Sequence, residues 1–270
     1  MRAGLGWRPE IGAAILAHTD RIDVVEVLAE DFVEATANER RALRMLASCV
    51  PVVIHATTLG LASTEPVDAA RLEAVARVIG WLEPESWSEH LAFVRAGGIE
   101  IGHLAAPPRN DETLEGLMRN VDTVRRVIGS LPLLENVATL IDPPFSDYDE
   151  AEWLDAVLRA TGADLLLDLH NLHANATNFG FDARAVVASI DHRRIGAIHL
   201  AGGRRIEGNR ILDDHLHAVP SEVFELLAMI DTSEATVIIE RDGHYPPFAE
   251  LLMELDHARF AAVSGAALHG

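Results

Sequence analysis

The sequence predicts an α/β fold, a single (β/α)8 barrel domain over residues 1–270, and three observations carry that prediction. Eight short apolar or β-branched runs alternate with longer helical patterns, the order that gives parallel strands covered on both faces. Eight is also the number of strands that a closed barrel needs. The chain has 270 residues, 49% apolar and 24% charged, enough to bury one large core, and no repeat, low-complexity tract or Pro/Gly/Ser linker divides it.

In chain order the strand candidates begin with Ala3–Gly6 and Asp23–Ala29, followed by Val50–His55 and the longer run Ser86–Phe93. Leu131–Asn136, Asp164–Leu169, Ile195–Leu200 and Thr236–Arg241 complete the set. Between them, apolar residues at three- and four-residue spacing predict helices, such as Ala69–Trp81 through Leu72, Val75, Ala76 and Ile79. Thr113–Ile128 repeats the pattern with Leu114, Leu117, Val121 and Val124. Asp68, Asp111, and Ser221 after Pro220 mark helix starts. Pro107–Pro108 and Pro143–Pro144 read as connections from strand to helix.

Composition removes several function classes. No basic segment leads into an apolar one at the N-terminus and no apolar run reaches the ~18 residues of a membrane span, so a cytoplasmic protein with no membrane partner is expected. The single cysteine, Cys49, precedes the third strand and cannot build a disulfide, a CxxC zinc site or an iron–sulfur cluster. The sequence contains no lysine, which excludes Schiff-base chemistry and a Walker A phosphate loop. A formal charge of −20 argues against nucleic acid as a partner. Against these absences stand 13 histidines.

Strand after strand ends in a residue able to bind metal: Glu26 and Glu30, His55, Glu89 and His90, Glu135, Asp168 and His170, His199, and Glu240. The loop after the seventh strand adds Asp213, Asp214, His215 and His217. In a parallel barrel the C-terminal strand ends converge, so these residues are expected to form one ring. Strand alternation would put Asp168 and His170 on the same side, with Leu169 facing the helices. One strand-end histidine is ordinarily a hydrogen-bonded core residue, but seven strand ends in one register call for a common cause. Facing carboxylates repel and lose hydration unless a cation relieves them.

The strongest candidates, His55, His90, Glu135, Asp168, His199, Asp213, His215 and Glu240, are too many for one ion. Two or three metals are therefore expected, with Glu135 as a bridge. Mixed nitrogen and oxygen ligation fits iron, manganese or zinc. Glu26, Glu89 and His217 have better-placed neighbours, and Glu30 and Glu89 are expected to stand behind the ligands. His18, His192, His244, His257 and His269 are expected at the surface.

Nine segments, GLGWRPE, EVLAEDF, IHATTLGLAS, SEHLAF, LLENVAT, LLLDLHNLHANATN, IHLAGG, DDHLHAVP and IIERDG, together resemble the multinuclear non-heme iron-dependent oxidases, the domain of unknown function 692. The resemblance runs from about Gly4 to Asp242. It implies a xylose-isomerase-like barrel with two or three irons in mixed Fe(II)/Fe(III) states, using O2 to modify cysteine residues of a ribosomally made precursor peptide, in some cases with a small leader-binding partner protein. Carried over by position, His55, His90 and Glu135 would hold one iron. Glu135, Asp168, His199 and Glu240 would hold a second, and His170 or Asn171 with Asp213 and His215 a third. Glu135, His199 and Asp213 are expected to act in the reaction. Arg204 and Arg241, with Arg8 and Arg205, are expected to meet an acidic peptide. The chain departs from the family at Leu28, where a histidine is frequent, at Ala56, usually glycine, and at His170, where many members have asparagine. A sugar isomerase or phosphodiesterase on the same barrel, and a non-catalytic metal-binding scaffold, are the competing readings.

Overall fold

Each of the eight runs forms a strand in the computed structural model, which describes the backbone from Met1 to His269 and the side chains through Ser264. His269 therefore lies outside the described side chains. The elements in order are β1 (Arg2–Gly6), α1 (Pro9–Ala17), β2 (Val24–Leu28), α2 (Ala37–Ala47), β3 (Val52–Ala56), α3 (Ala69–Leu82) and β4 (Trp87–His90). Then come β5 (Phe93–Ala96), β6 (Ile99–Ala105), α4 (Asp111–Ile128), β7 (Leu133–Glu135), α5 (Glu150–Thr161), β8 (Leu165–Asp168), α6 (Leu169–Phe179) and α7 (Ala183–Ser189). The last are β9 (Ile195–Leu200), β10 (Arg204–Ile206), β11 (Arg210–Leu212), α8 (Ser221–Leu227), β12 (Thr236–Ile239) and α9 (Phe248–His269). The strand order β1-β12-β9-β8-β7-β4-β3-β2 closes on itself, the expected eight-stranded parallel barrel. Every residue of β3 and β12 is buried, as strands covered on both faces require.

Two sequence expectations need correction. The run Ser86–Phe93 is not one strand: β4 ends at His90, and Phe93 opens the antiparallel β5–β6 hairpin. The run Asp164–Leu169 ends at Asp168, because that carboxylate caps α6 by accepting the Asn171 N–H at 2.7 Å. His170 is thus a helical residue, and its position follows from the helix rather than from strand alternation. Helix α4 begins at Asp111, the start marked in the sequence, and is capped by Asn110, which accepts the Thr113 N–H at 3.0 Å. The β10–β11 hairpin had no counterpart among the predicted elements.

Contacts within the chain group into two units. One comprises Met1–Glu26, Ala138–Asp142 and Leu166–Gly270. In it β12 pairs with β1 and β9, and Leu5, Ile15, Ile198, Val237, Leu251 and Leu255 are buried. The other comprises Val27–Val137 and Pro143–Leu165. There the predicted stripe of α4 buries Leu117, Val121 and Val124. The Asn120 amide donates to the carbonyls of Leu61, Ser63 and Glu65 and accepts the Val67 N–H. Gly116 lets the helix approach that segment: a Cβ there would sit 2.3 Å from the Ser63 carbonyl oxygen.

Candidate metal centre

In the unit that holds β3, β4 and β7, parallel register sets Ser88 beside His55 and Glu135 beside His90. All four residues are buried. The Glu135 carboxylate turns one oxygen, Oε2, to both imidazoles, 3.2 Å from His55 Nε2 and 3.3 Å from His90 Nε2. Behind His55, Nδ1 lies 2.8 Å from Ser88 Oγ, which lies 3.3 Å from the Ile54 carbonyl oxygen. A serine hydroxyl has one proton, and the carbonyl can only accept. Ser88 therefore donates to Ile54 and accepts from His55 Nδ1–H. This tautomer leaves a lone pair on Nε2, aimed at the Glu135 oxygen. Two electron-rich atoms so placed are held together by a cation between them or by a second proton on the ring. One ligand atom from each of His55, His90 and Glu135 lies within 4.8 Å of the other two, so the donor set fits a metal ion.

Glu30 and Glu89, expected behind the ligands, feel each other's charge, and Glu89 also feels that of Glu135. Glu30 Oε1 accepts the Thr57 N–H at 2.9 Å and the Thr58 hydroxyl at 2.8 Å. Burial pushes the Glu89 carboxyl well above the usual carboxylate range, and the nearby Glu30 adds to that. Both effects favour the protonated form of Glu89 over the charged one.

The other unit carries two further groups. Asp168 ends β8, His199 is the penultimate residue of β9 and Glu240 follows β12 directly. Ile238 is in register with His199, and Glu240, two residues on, returns to the same face. Ligand atoms of Asp168, His199 and Glu240 lie within 4.8 Å of one another. His199 faces a carboxylate at each ring nitrogen, Nε2 at 3.0 Å from Glu26 and Nδ1 at 3.1 Å from Glu240. A neutral imidazole has one N–H, so it can donate to only one of them.

The third group is His170, Asp213 and His215. Asp213 Oδ1 lies 2.8 Å from His170 Nδ1 and 2.9 Å from His215 Nε2. His215 Nδ1 is 3.3 Å from Glu240 and 3.6 Å from Asp242, so this ring too has carboxylates on both sides. Burial disfavours the charged His215, but Glu240 and Asp213 outweigh it and hold the imidazole well above its ordinary range. Burial likewise works against ionised Asp213, but the bonds from His170 and His215 hold it below the usual range. His215 has φ +53°, a left-handed conformation that costs a non-glycine residue about 1–3 kcal/mol. His170 packs against Gly203, where a Cβ would lie 2.7 Å from its Cε1. Asn171, buried next to it, gives its backbone N–H to Asp168.

Of the arginines expected to meet a peptide, Arg204 is exposed, with Nε 3.4 Å from Asp214. Arg205 bonds the Asn209 side chain, and Arg8 pairs with Asp242. Arg241 is buried and reaches Glu254 at 3.3 Å. His217 leans on Asp214 at 3.0 Å, and Cys49 is an exposed free thiol. Ser88, Asp242 and Gly203 were not singled out from sequence, and Glu26 had been placed behind its neighbours. Only Ser88 had a usable signal, its position two residues before His90 on the same strand face.

A family model described as RiPP precursor modification enzyme MbnB/TglH/ChrH matches residues 2–262. A UPF0276 protein of Bordetella bronchiseptica is 33% identical over 99% of this chain and 94% of its own length. Among solved structures, D-psicose 3-epimerase of Clostridium cellulolyticum superposes with a TM-score of 0.59 at 14% identity, covering 99% of this chain and 98% of the epimerase. Endonuclease IV of Thermus thermophilus gives a TM-score of 0.61 at 16% identity, covering 97% and 98%. Both likenesses are of fold.

Proposed function

The chain belongs to the MbnB/TglH/ChrH family of RiPP precursor modification enzymes, those acting on ribosomally synthesised and post-translationally modified peptides, and from that premise we propose a multinuclear iron oxidase that uses O2 to modify cysteine residues of a precursor peptide. The observation that carries the metal is the pairing of two imidazoles with one carboxylate oxygen at Glu135, Glu240 and Asp213. Donors of this kind, without protein thiolate, suit iron, and iron supplies the redox chemistry that the side chains lack.

His55, His90 and Glu135 hold one iron, Asp168, His199 and Glu240 a second, and His170, Asp213 and His215 a third. The family resemblance also makes Glu135 a ligand of the second ion. Ser88 fixes the His55 tautomer, so that Nε2 is the ligating atom. Glu26 takes the outward N–H of His199. A substrate cysteine would be bound as its thiolate, a form that a metal held by these residues would favour without help from a lysine. Arg204 and Arg205 are exposed and meet acidic residues of the peptide. A small partner protein presents the leader, and the enzyme works in the cytoplasm. Among the described residues no helix is long and apolar enough to cross a membrane.

The test combines elemental analysis and Mössbauer spectroscopy of anaerobically purified protein with incubation against a genome-neighbouring precursor peptide and its Cys→Ser form. At least two irons per chain, and an O2-dependent mass change confined to the cysteine form, are expected. One zinc with no iron, or turnover of a ketose without O2, moves the chain to the hydrolase or isomerase reading.

A further inference from the structure

Most arginines of this acidic chain answer a carboxylate, as Arg21 does Asp256, Arg109 Glu150 and Arg184 Glu225. Helix α2 is different. Arg40, Arg41 and Arg44 are exposed, and among the described residues none of the three makes an ion pair. With Ala37, Met45 and Ser48 they fall at i, i+3, i+4, i+7, i+8 and i+11, one continuous helical stripe that lines a groove of about 580 Å3. Two of the cations are already ordered. The Arg40 and Arg44 guanidiniums lie 5.9 and 5.6 Å from the Trp81 ring, and Arg44 also donates to the Trp81 carbonyl at 3.3 and 3.2 Å. Stacking on an aromatic face leaves outer N–H groups for a second partner. Met45, 62% exposed, adds an apolar contact in the same stripe.

We propose that this face of α2, with Trp81 of α3 behind it, is a docking surface for an acidic amphipathic segment of a polypeptide partner. Its carboxylates pair with Arg40, Arg41 and Arg44 while an apolar side chain rests on Met45. Three planar forks along a helix match carboxylates spaced on a facing helix, whereas a compact lone anion would engage one of them. Net charge does not forbid the encounter, since at physiological ionic strength charges beyond about 8 Å are screened and a short segment meets the local patch. The surface is separate from the metal-ligand groups, and the inference does not depend on the oxidase reading.

The experiment uses the full chain and a fluorescein-labelled peptide of repeated Glu-Leu-Glu-Glu, followed by anisotropy. Saturable, salt-sensitive binding is expected, weakened about tenfold or more in the R40A/R41A/R44A variant. The R119A/R125A/R126A variant of α4, whose arginines pair with acids of their own helix, removes equal charge and should bind like wild type. Circular dichroism melts check that both variants fold. Absence of saturable binding, equal binding by the two variants, or equally effective competition by a short oligothymidylate overturns the proposal.

Discussion

Gly203→Ala tests whether His170 is held where the geometry puts it. The added Cβ would sit 2.3 Å from the Leu212 carbonyl oxygen, 2.7 Å from His170 Cε1 and 3.0 Å from His170 Nε2. Ordinary contact begins at 3.4 Å, so the ring has to retreat by about 0.7 Å and the carbonyl by more than an ångström. The carbonyl belongs to β11, which β10 holds in antiparallel register, so the movement falls on the imidazole as well. Overpacking of this kind costs about 1–3 kcal/mol, and a backbone obstacle puts this case in the upper half. For a chain of this size that is a fall in Tm of roughly 4–10 °C. The same displacement breaks the 2.8 Å contact of His170 Nδ1 with Asp213, and one metal per chain should be lost, as in His170→Ala. Gly80→Ala is the control, because nothing lies within 4 Å of its Cβ and it sits within α3. It should gain about 0.5–1 kcal/mol and keep its metal. Differential scanning fluorimetry and elemental analysis read both quantities. A Gly203→Ala protein with native Tm and full metal would mean that His170 is not confined by this packing.

Three further outcomes follow from the same geometry. His55→Ala should abolish binding of one ion, whereas Ser88→Ala, which only frees the tautomer, should weaken it about 10- to 100-fold, as metal titration will separate. Glu26→Gln retains an acceptor for the His199 N–H but removes a charge, so metal loss should be partial and smaller than in Glu240→Gln, seen by elemental analysis. In chelator-stripped protein, the raised His215 pKa contributes stability that is complete below the unfolded value and is lost as pH climbs through the folded one, while the depressed Asp213 contributes above its unfolded value and is lost towards acid. Thermal melts should therefore fall on the alkaline side, and His215→Gln should flatten that limb; an unchanged slope refutes the ion-pair assignment.

The barrel was legible because its strands are buried on both faces and so read as unbroken apolar runs, with β3 and β12 the plainest cases. Ligand-type residues were legible for a related reason: a charged group at the end of such a run has few structural uses. What periodicity could not supply was the backbone beyond each strand end. Asp168 is the last residue of β8, as it reads, but its carboxylate also caps α6, which takes His170 out of the alternation expected of it. His215 reaches Asp213 and Glu240 only through a left-handed turn, which no pattern of apolar residues encodes. The hairpins failed for the opposite reason, since β6 is largely exposed and short polar strands leave no apolar signature.

The charge balance of the unit bearing Glu26, Asp168, Asp213 and Glu240 explains why histidine has the part that lysine or arginine often takes. Four carboxylates, three of them buried, need compensation that a metal can replace. Arginine cannot give up its charge in a protein, and Arg8, which feels the charges of Glu240 and Glu26, is directed to Asp242, outside the ligand groups. Imidazoles can give it up. His199 and His215 each stand between two carboxylates, where a doubly protonated ring satisfies both contacts and a neutral ring satisfies one. Metal binding requires the neutral ligand, so an ion that entered the His215 group would displace a proton from a ring whose surroundings favour its charged form, and would take over its electrostatic role. A compensating charge that leaves on binding keeps the carboxylates in place before and after, and a fixed cation would instead compete with the metal.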